Sequence, residues 1–200
     1  MAQLNDFSKI IHNGNEIGKV LHQGKTIWQK GSDVYLAQDS DFVKVNGYWV
    51  YRGSALKVEI PTHINGELVT STSRMLRGDS NYQATPVIKV VLNHSNVNDM
   101  NYMFYYSSAT KLDLSSFDTS NVTNMNSMFR DSKATTLDLS SFDTSNVTDM
   151  NSMFHDSKAT TLNLSSFNTS NVTSMVSMFY ESNATILDLS SFVTYDDTYM

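Results

Sequence analysis

No cysteine occurs anywhere in the 200 residues. That excludes a disulfide framework, a thiol nucleophile and a thiolate zinc site. Long apolar runs are missing too, and no stretch approaches the ~20 residues that a membrane helix needs. The opening Met1-Ala2-Gln3-Leu4-Asn5-Asp6 lacks a basic region followed by an apolar run, so no secretory signal is expected. The chain therefore reads as soluble and without membrane insertion. If it acts outside a cell it leaves by lysis or in a particle, and otherwise it is cytoplasmic. Basic residues are scarce, 14 against 20 acidic for a net charge of −6, which makes nucleic acid a poor partner. His63, His94 and His155 are scattered and no nucleophile motif is present, so an enzyme is not expected and no cofactor is implied.

What is present is repetition. Asn96, Asn121, Asn146 and Asn171 follow one another at a single constant interval. The clearest copy runs Asn121-Val122-Thr123-Asn124-Met125-Asn126-Ser127-Met128-Phe129 and continues, after a short link, as Leu137-Asp138-Leu139-Ser140-Ser141-Phe142. A fixed period of this size predicts a stacked solenoid, because one such unit cannot bury its own apolar face. Leu112, Leu137, Leu162 and Leu187 form one row and Leu114, Leu139, Leu164 and Leu189 the next, two positions on and so on the same face of a strand. Phe117, Phe142, Phe167 and Phe192 follow. Met100, Met103 and Phe104, with their equivalents in later copies, come at i, i+3 and i+4, the spacing of one face of a short helix. Thr123, Thr148 and Thr173 stand where N-caps would, and the recurring Asn residues read as a ladder satisfying buried backbone groups. The expected fold class is an α/β solenoid: a right-handed, leucine-rich-repeat-like coil with one parallel sheet and short helices, preceded by β-hairpins. Asp113, Asp138, Asn163 and Asp188 read as a solvated strand face rather than a calcium row, since Asn163 interrupts the charge.

Three segments are expected. Residues 1–30 hold a shorter repeat, Lys9–Ile17 echoed by Lys19–Ile27, which reads as two hairpins turning at Gly14 and Gly24 and serving attachment. His12 and His22 sit at equal positions there, too few for a metal site. After a linker at Gly31-Ser32-Asp33, residues 33–53 carry a second hairpin around Asn46-Gly47, placed to cap the repeats. Its Tyr48, Trp49 and Tyr51 read as cap packing, with a stacking surface for sugars as the alternative. Residues 54–200 are the repeat region, in which 54–95 form one or two degenerate, longer coils. At its far end, Asp196 and Asp197 replace Asn and Val of the repeat, either as a charged guard against end-to-end stacking or as a point where a longer array continues.

Within the uniform repeat, one position changes most in chemistry. It lies directly after the second Phe and holds Tyr105, Arg130, His155 and Tyr180, with Tyr106, Asp131, Asp156 and Glu181 next to it. A row freed from the core, one residue per copy, makes these four the candidate ligand-binding residues. The alternative candidate is the outer strand face with Lys111, Asp113, Thr136, Asp138 and Asn163.

The run Leu-Asp-Leu-Ser-Ser-Phe-Asp-Thr-Ser-Asn-Val-Thr-Asp-Met-Asn-Ser-Met-Phe at residues 137–154 resembles the BspA-type leucine-rich repeat of bacterial surface proteins. The resemblance extends over 96–192, and Ile60, Pro61, Ile64, Asn65, Gly66, Val69, Thr70 and Ser71 resemble the longer unit of that family. It implies a non-catalytic surface adhesion module that binds protein or glycan. Asn13, Gly14, Ile17, Val20, Gly24, Lys25, Ile27 and Trp28 are similar to a short N-terminal segment of tail and other virion proteins of phages of Gram-positive bacteria. Together these imply a phage or prophage tail-associated protein, or a related adhesin, whose partners are a cell-surface protein or glycan or other virion proteins. The alternative is an intracellular or released scaffold binding a protein through the sheet face. The oligomeric state stays open.

Overall fold

The computed structural model describes residues 10–12, 15–17, 19–22, 25–29, 35–53, 55–78 and 87–194. The Gly14 and Gly24 turns, the linker at 31–33, the side chains of His12, His22 and Trp28, and Asp196 and Asp197 lie outside the described residues. At the N-terminus β1 (Ile10–His12) pairs antiparallel with β2 (Asn15–Ile17), and β3 (Lys19–His22) with β4 (Lys25–Gln29). β5 (Tyr35–Leu36) is followed by a single 3-10 turn at Asp39–Asp41. β6 (Phe42–Val45) and β7 (Tyr48–Tyr51) then form an antiparallel hairpin. Its turn places Asn46 at φ 50 and Gly47 at φ 87, the two left-handed residues of a type I′ connection. A second Asn-Gly hairpin joins β9 (His63–Ile64) to β10 (Glu67–Leu68), with Asn65 at φ 50 and Gly66 at φ 81.

From Ser71 onward the chain stacks upon itself in register. Ser71, Asp99, Asn124, Asp149 and Ser174 are joined by parallel bridges, which makes five successive rungs. The stretch Ser71–Gly78 is thus the first rung, although its offset from the next is slightly longer than the offset between later copies. On the other side, β5, β8 (Lys57–Glu59) and β11 (Lys89–Val91) form a three-stranded parallel sheet. β12 (Thr136–Asp138) and β13 (Thr161–Asn163) form a separate parallel pair with Leu137 opposite Leu162.

The α/β solenoid with short helices and one parallel sheet is not what forms. The described residues contain no α-helix and the strands fall into small sheets, most of them two-stranded. Of the four Leu-Asp/Asn-Leu segments only two make strands, while Asp113 and Ile186 contribute single bridges. The Met-x-x-Met-Phe stretch is a run of turns instead. Tyr102, Ser127, Ser152 and Ser177 lie at φ between 52 and 55, and Tyr106, Asp131, Asp156 and Glu181 at φ between 51 and 56. A left-handed residue in the middle of so short a stretch ends any helix there.

The hydrogen bonds show what outcompetes the helix. In one copy the N–H groups of Met125, Ser127, Phe129 and Asp131 donate to Asp149, Asn151, Met153 and His155 of the next, at 2.8–3.0 Å. The intervening Met128, Arg130 and Ser132 donate back to Met125, Ser127 and Phe129. Alternate amides are therefore shared between a local turn and the neighbouring rung. A helix this short would leave most of its terminal N–H and C=O groups without partners, and its nucleation is costly. Identical segments stacked in register offer a partner for each outward amide, as in cross-β assemblies. The i, i+3, i+4 spacing still places Met125, Met128 and Phe129 inside, because tandem turns return side chains to one face at similar intervals.

The core runs along the whole stack. The Val, Met, Leu and Phe rows of the interior copies are buried, as are Val58, Ile60, Ile64, Met75 and Leu92 nearer the start. Phe104, Phe129, Phe154 and Phe179 stack face to face, 5.5–5.8 Å apart and within 6° of parallel. Methionine, flexible and polarisable, fills the space between these plates. Burial fails in the last copy. Leu187 is 37% exposed where Leu137 is 1%, because among the described residues no further rung lies over it.

Candidate functional site

Polar side chains sew the rungs together before any is left for a ligand. The hydroxyls of Thr123, Thr148 and Thr173 donate to the carbonyls of Asn98, Thr123 and Thr148 of the preceding copy, so the expected N-caps are rung-to-rung ties. The amides of Asn121, Asn146 and Asn171 reach back to the carbonyls of Ser95, Ser120 and Ser145 at 2.7–3.0 Å. They are exposed, so the ladder runs along the surface rather than through the interior. Asp113, Asp138, Asn163 and Asp188 each accept the N–H two positions on and close a local turn. Among the described residues no group of three or more His, Asp or Glu side chains is arranged to hold a metal ion.

The row after the second Phe is drawn together by the backbone ladder. Carbonyls of Tyr105, Arg130, His155 and Tyr180 accept from Gly78, Tyr106, Asp131 and Asp156 respectively, at 2.8–3.0 Å. Its members differ in what they present. Tyr105 is half-buried, edge-on to Tyr102 at 5.3 Å and to Tyr106 at 4.5 Å, and burial pushes its phenol up. Arg130 turns to its neighbour Asp131, Nε to Oδ2 3.4 Å. His155 does the same with Asp156 at 3.1 Å, and its ring lies 4.9 Å from that of Tyr180. Tyr180 is 56% exposed, and its phenol is raised chiefly by a hydrogen bond with Glu181. The second residue of each pair holds the left-handed φ.

The outer strand face holds Lys111, Thr136, Asp138 and Asn163 exposed, with Asp113 half-exposed and paired to Lys89 at 3.0 Å. The hydroxyl of Ser115, then Lys89, lowers the Asp113 carboxyl to about 2.

A further cluster carries no mark in the repeat pattern. Arg74 lies between Tyr48 and Tyr102, its Cζ 4.7 and 5.3 Å from their ring centres. It joins the β6–β7 hairpin to the second rung, and through Tyr102 to Tyr105 and Tyr106. The signal that could have found it is alignment: Ser71–Gly78 matches 99–106 once a longer offset is allowed.

These features define a protein of in-register stacked turns with aromatic and charged groups along one row. Residues 70–192, more than half of the chain, match the family described as Mycoplasma protein of unknown function, DUF285, and the chain belongs to that family. The matched span begins just before the first rung and ends at Phe192. No curated protein and no solved structure matches the chain. Among the described residues no helix is long and apolar enough to cross a membrane.

Proposed function

We propose that this chain is a non-enzymatic binding module, tail-associated in a phage or prophage virion or a related bacterial surface adhesin. In this reading the row Tyr105, Arg130, His155 and Tyr180 recognises a protein or glycan on a cell surface. One observation carries it: a hydrogen-bonded ladder keeps the core positions constant from copy to copy, while this row runs through phenol, guanidinium and imidazole. Planar groups held at rung spacing on a preorganised backbone lose little entropy on binding. The attachment role of the N-terminal hairpins and the adhesin class draw on the resemblances to virion segments and BspA-type repeats.

Fluorescently labelled protein incubated with a panel of intact Gram-positive cells, and read by flow cytometry, tests the reading. Retention on some cells is expected, with loss when Tyr105, Arg130, His155 and Tyr180 are all replaced by Ser in a chain that still unfolds cooperatively above the assay temperature. Unchanged retention by that variant would move recognition to the outer strand face of Lys111, Asp113, Thr136, Asp138 and Asn163.

A further inference from the structure

The two Asn-Gly hairpins face each other across a cleft of about 130 Å³. Its walls are Lys44, Gly47, Tyr48 and Trp49 on one side and Glu67, Leu68 and Val69 on the other, closed by Ser71 and Ser73 of the first rung. We infer that this cleft is a binding site for a single ring of a neutral saccharide.

The charges in the wall are already matched. Lys44 Nζ pairs with Glu67 Oε2 at 2.6 Å and lies 5.0 Å from the centre of the Trp49 ring. Arg74, beside the cleft, is held by the faces of Tyr48 and Tyr102. An anion would compete with Glu67 for Lys44 and a cation with Lys44 for Glu67, so the pair itself offers neither a free counter-charge. A sugar hydroxyl donates and accepts at once, and it can bridge an ammonium and a carboxylate without separating them. The face of Tyr48 is taken by Arg74, but Trp49 is only partly buried and Leu68 is 48% exposed. Trp49 and Leu68 supply apolar surface for the C–H face of a pyranose, as amphipathic aromatics do where one side of a ligand is apolar and its rim polar.

The far wall is set in advance. The Ser71 hydroxyl donates to Asp99 at 3.1 Å and accepts from the N–H of Ser73, whose own hydroxyl donates to Asn101. A preorganised wall of fixed hydroxyls reduces the ordering cost that limits binding of small polar ligands. The cleft is smaller than the pockets that enclose drug-sized ligands, which fits one ring of a longer glycan and excludes a large cofactor. None of the four row residues lines the cleft, so the inference does not rest on the function proposed above.

The test uses the full chain with Trp28→Phe, leaving Trp49 as its one tryptophan. Its emission is followed on titration with methyl glycosides of glucose, galactose, mannose, rhamnose and N-acetylglucosamine. Methyl galacturonate and a short uncharged peptide are run beside them. A shift with at least one neutral glycoside is expected, at a dissociation constant in the millimolar range or tighter, weakened about tenfold or more in Glu67→Gln. The Ser variant of the row should bind the same glycoside unchanged. No response to any neutral glycoside by a folded chain overturns the inference, as does preference for the uronate or the peptide. Equal affinity in Glu67→Gln, or loss in the row variant, also overturns it by placing the sugar elsewhere.

Discussion

Thr144 and Asn168, 24 residues apart, exchange two hydrogen bonds: the Thr144 hydroxyl accepts the Asn168 N–H at 2.8 Å and donates to the Asn168 carbonyl at 3.0 Å. Thr119 makes the same pair with Asp143, and Thr169 with Val193. One buried hydroxyl thus substitutes for a backbone partner at the point where each copy turns. Thr144→Val keeps the shape, removes both bonds and leaves a backbone N–H and C=O unsatisfied. It is expected to cost roughly 2–4 kcal/mol, against about 1 kcal/mol for Thr144→Ser, which keeps the hydroxyl. Urea denaturation of the two variants checks this, and equal losses would show that the methyl rather than the hydroxyl matters.

Leu139 is fully buried and its neighbour Ser140 is exposed. Leu139→Ala should destabilise by roughly 2–5 kcal/mol and Ser140→Ala by less than about 0.5 kcal/mol. Denaturation midpoints of the pair read the phase of the segment directly.

Gly53 lies against Tyr51. A Cβ at Gly53 would stand 2.2 Å from the phenolic oxygen and 2.4 Å from the ring carbon that bears it. The ring is held by an edge contact to Phe42 at 5.6 Å and by the Ala55 N–H, which donates to its oxygen; burial raises its phenol to about 12. Gly53→Ala should cost about 1–3 kcal/mol through overpacking. Adding Tyr51→Phe should not rescue it, because the ring carbons still collide. A thermal melt of the double variant as stable as wild type would contradict this geometry.

Stability should fall in two steps on acidification. Burial lowers the His94 pKa, opposed by the carbonyls of Ile60 and Pro61 and the carboxylates of Asp118 and Glu59. The unfolded chain therefore binds the His94 proton first, near the ordinary value of about 6.5, and stability declines as pH falls below it. Asp113, lowered to about 2 by Ser115 and Lys89, contributes stability that is full above the ordinary carboxylate value of about 4 and is lost toward pH 2. Unfolding free energy measured against pH should lose the upper step in His94→Gln and shrink the lower one in Asp113→Asn. Persistence of both steps in the respective variants would assign them to other groups.

The last copy departs from the pattern at three outward positions. Val176, Ile186 and Val193 stand where interior copies carry Asn151, Thr161 and Asn168, and Ile186 is 78% exposed. Val176→Asn, Ile186→Thr and Val193→Asn together should lower binding of a hydrophobic dye while shifting stability by no more than about 0.5 kcal/mol per site. Unchanged dye binding would place the exposed apolar surface on another face.

Much of the core is legible in the chain. The rows of Leu, Val, Met and Phe that recur at the constant interval are the rows found buried, since a stacked unit hides the same positions in each copy. The Asn46-Gly47 turn is equally legible, because that dipeptide fits two left-handed positions in succession. Asn65-Gly66 carries the same signal, but its flanks read as part of a degenerate coil, and that reading hides the cleft between the two hairpins.

By itself, then, the sequence determined the period, the buried rows and the position at which chemistry varies, all of which follow from side-chain identity repeated at constant spacing. Only the tertiary structure decided the backbone of the Met-x-x-Met-Phe stretch. Its apolar spacing suits a helix and a run of turns alike, and the choice rests on where the amide of Ser127 goes. Asn151 of the next copy is there to accept it, so Ser127 takes a left-handed conformation that an isolated segment would avoid. The meeting of Lys44 with Glu67, and of Arg74 with Tyr48 and Tyr102, likewise depends on which hairpin lies against the first rung, a matter that no local spacing records.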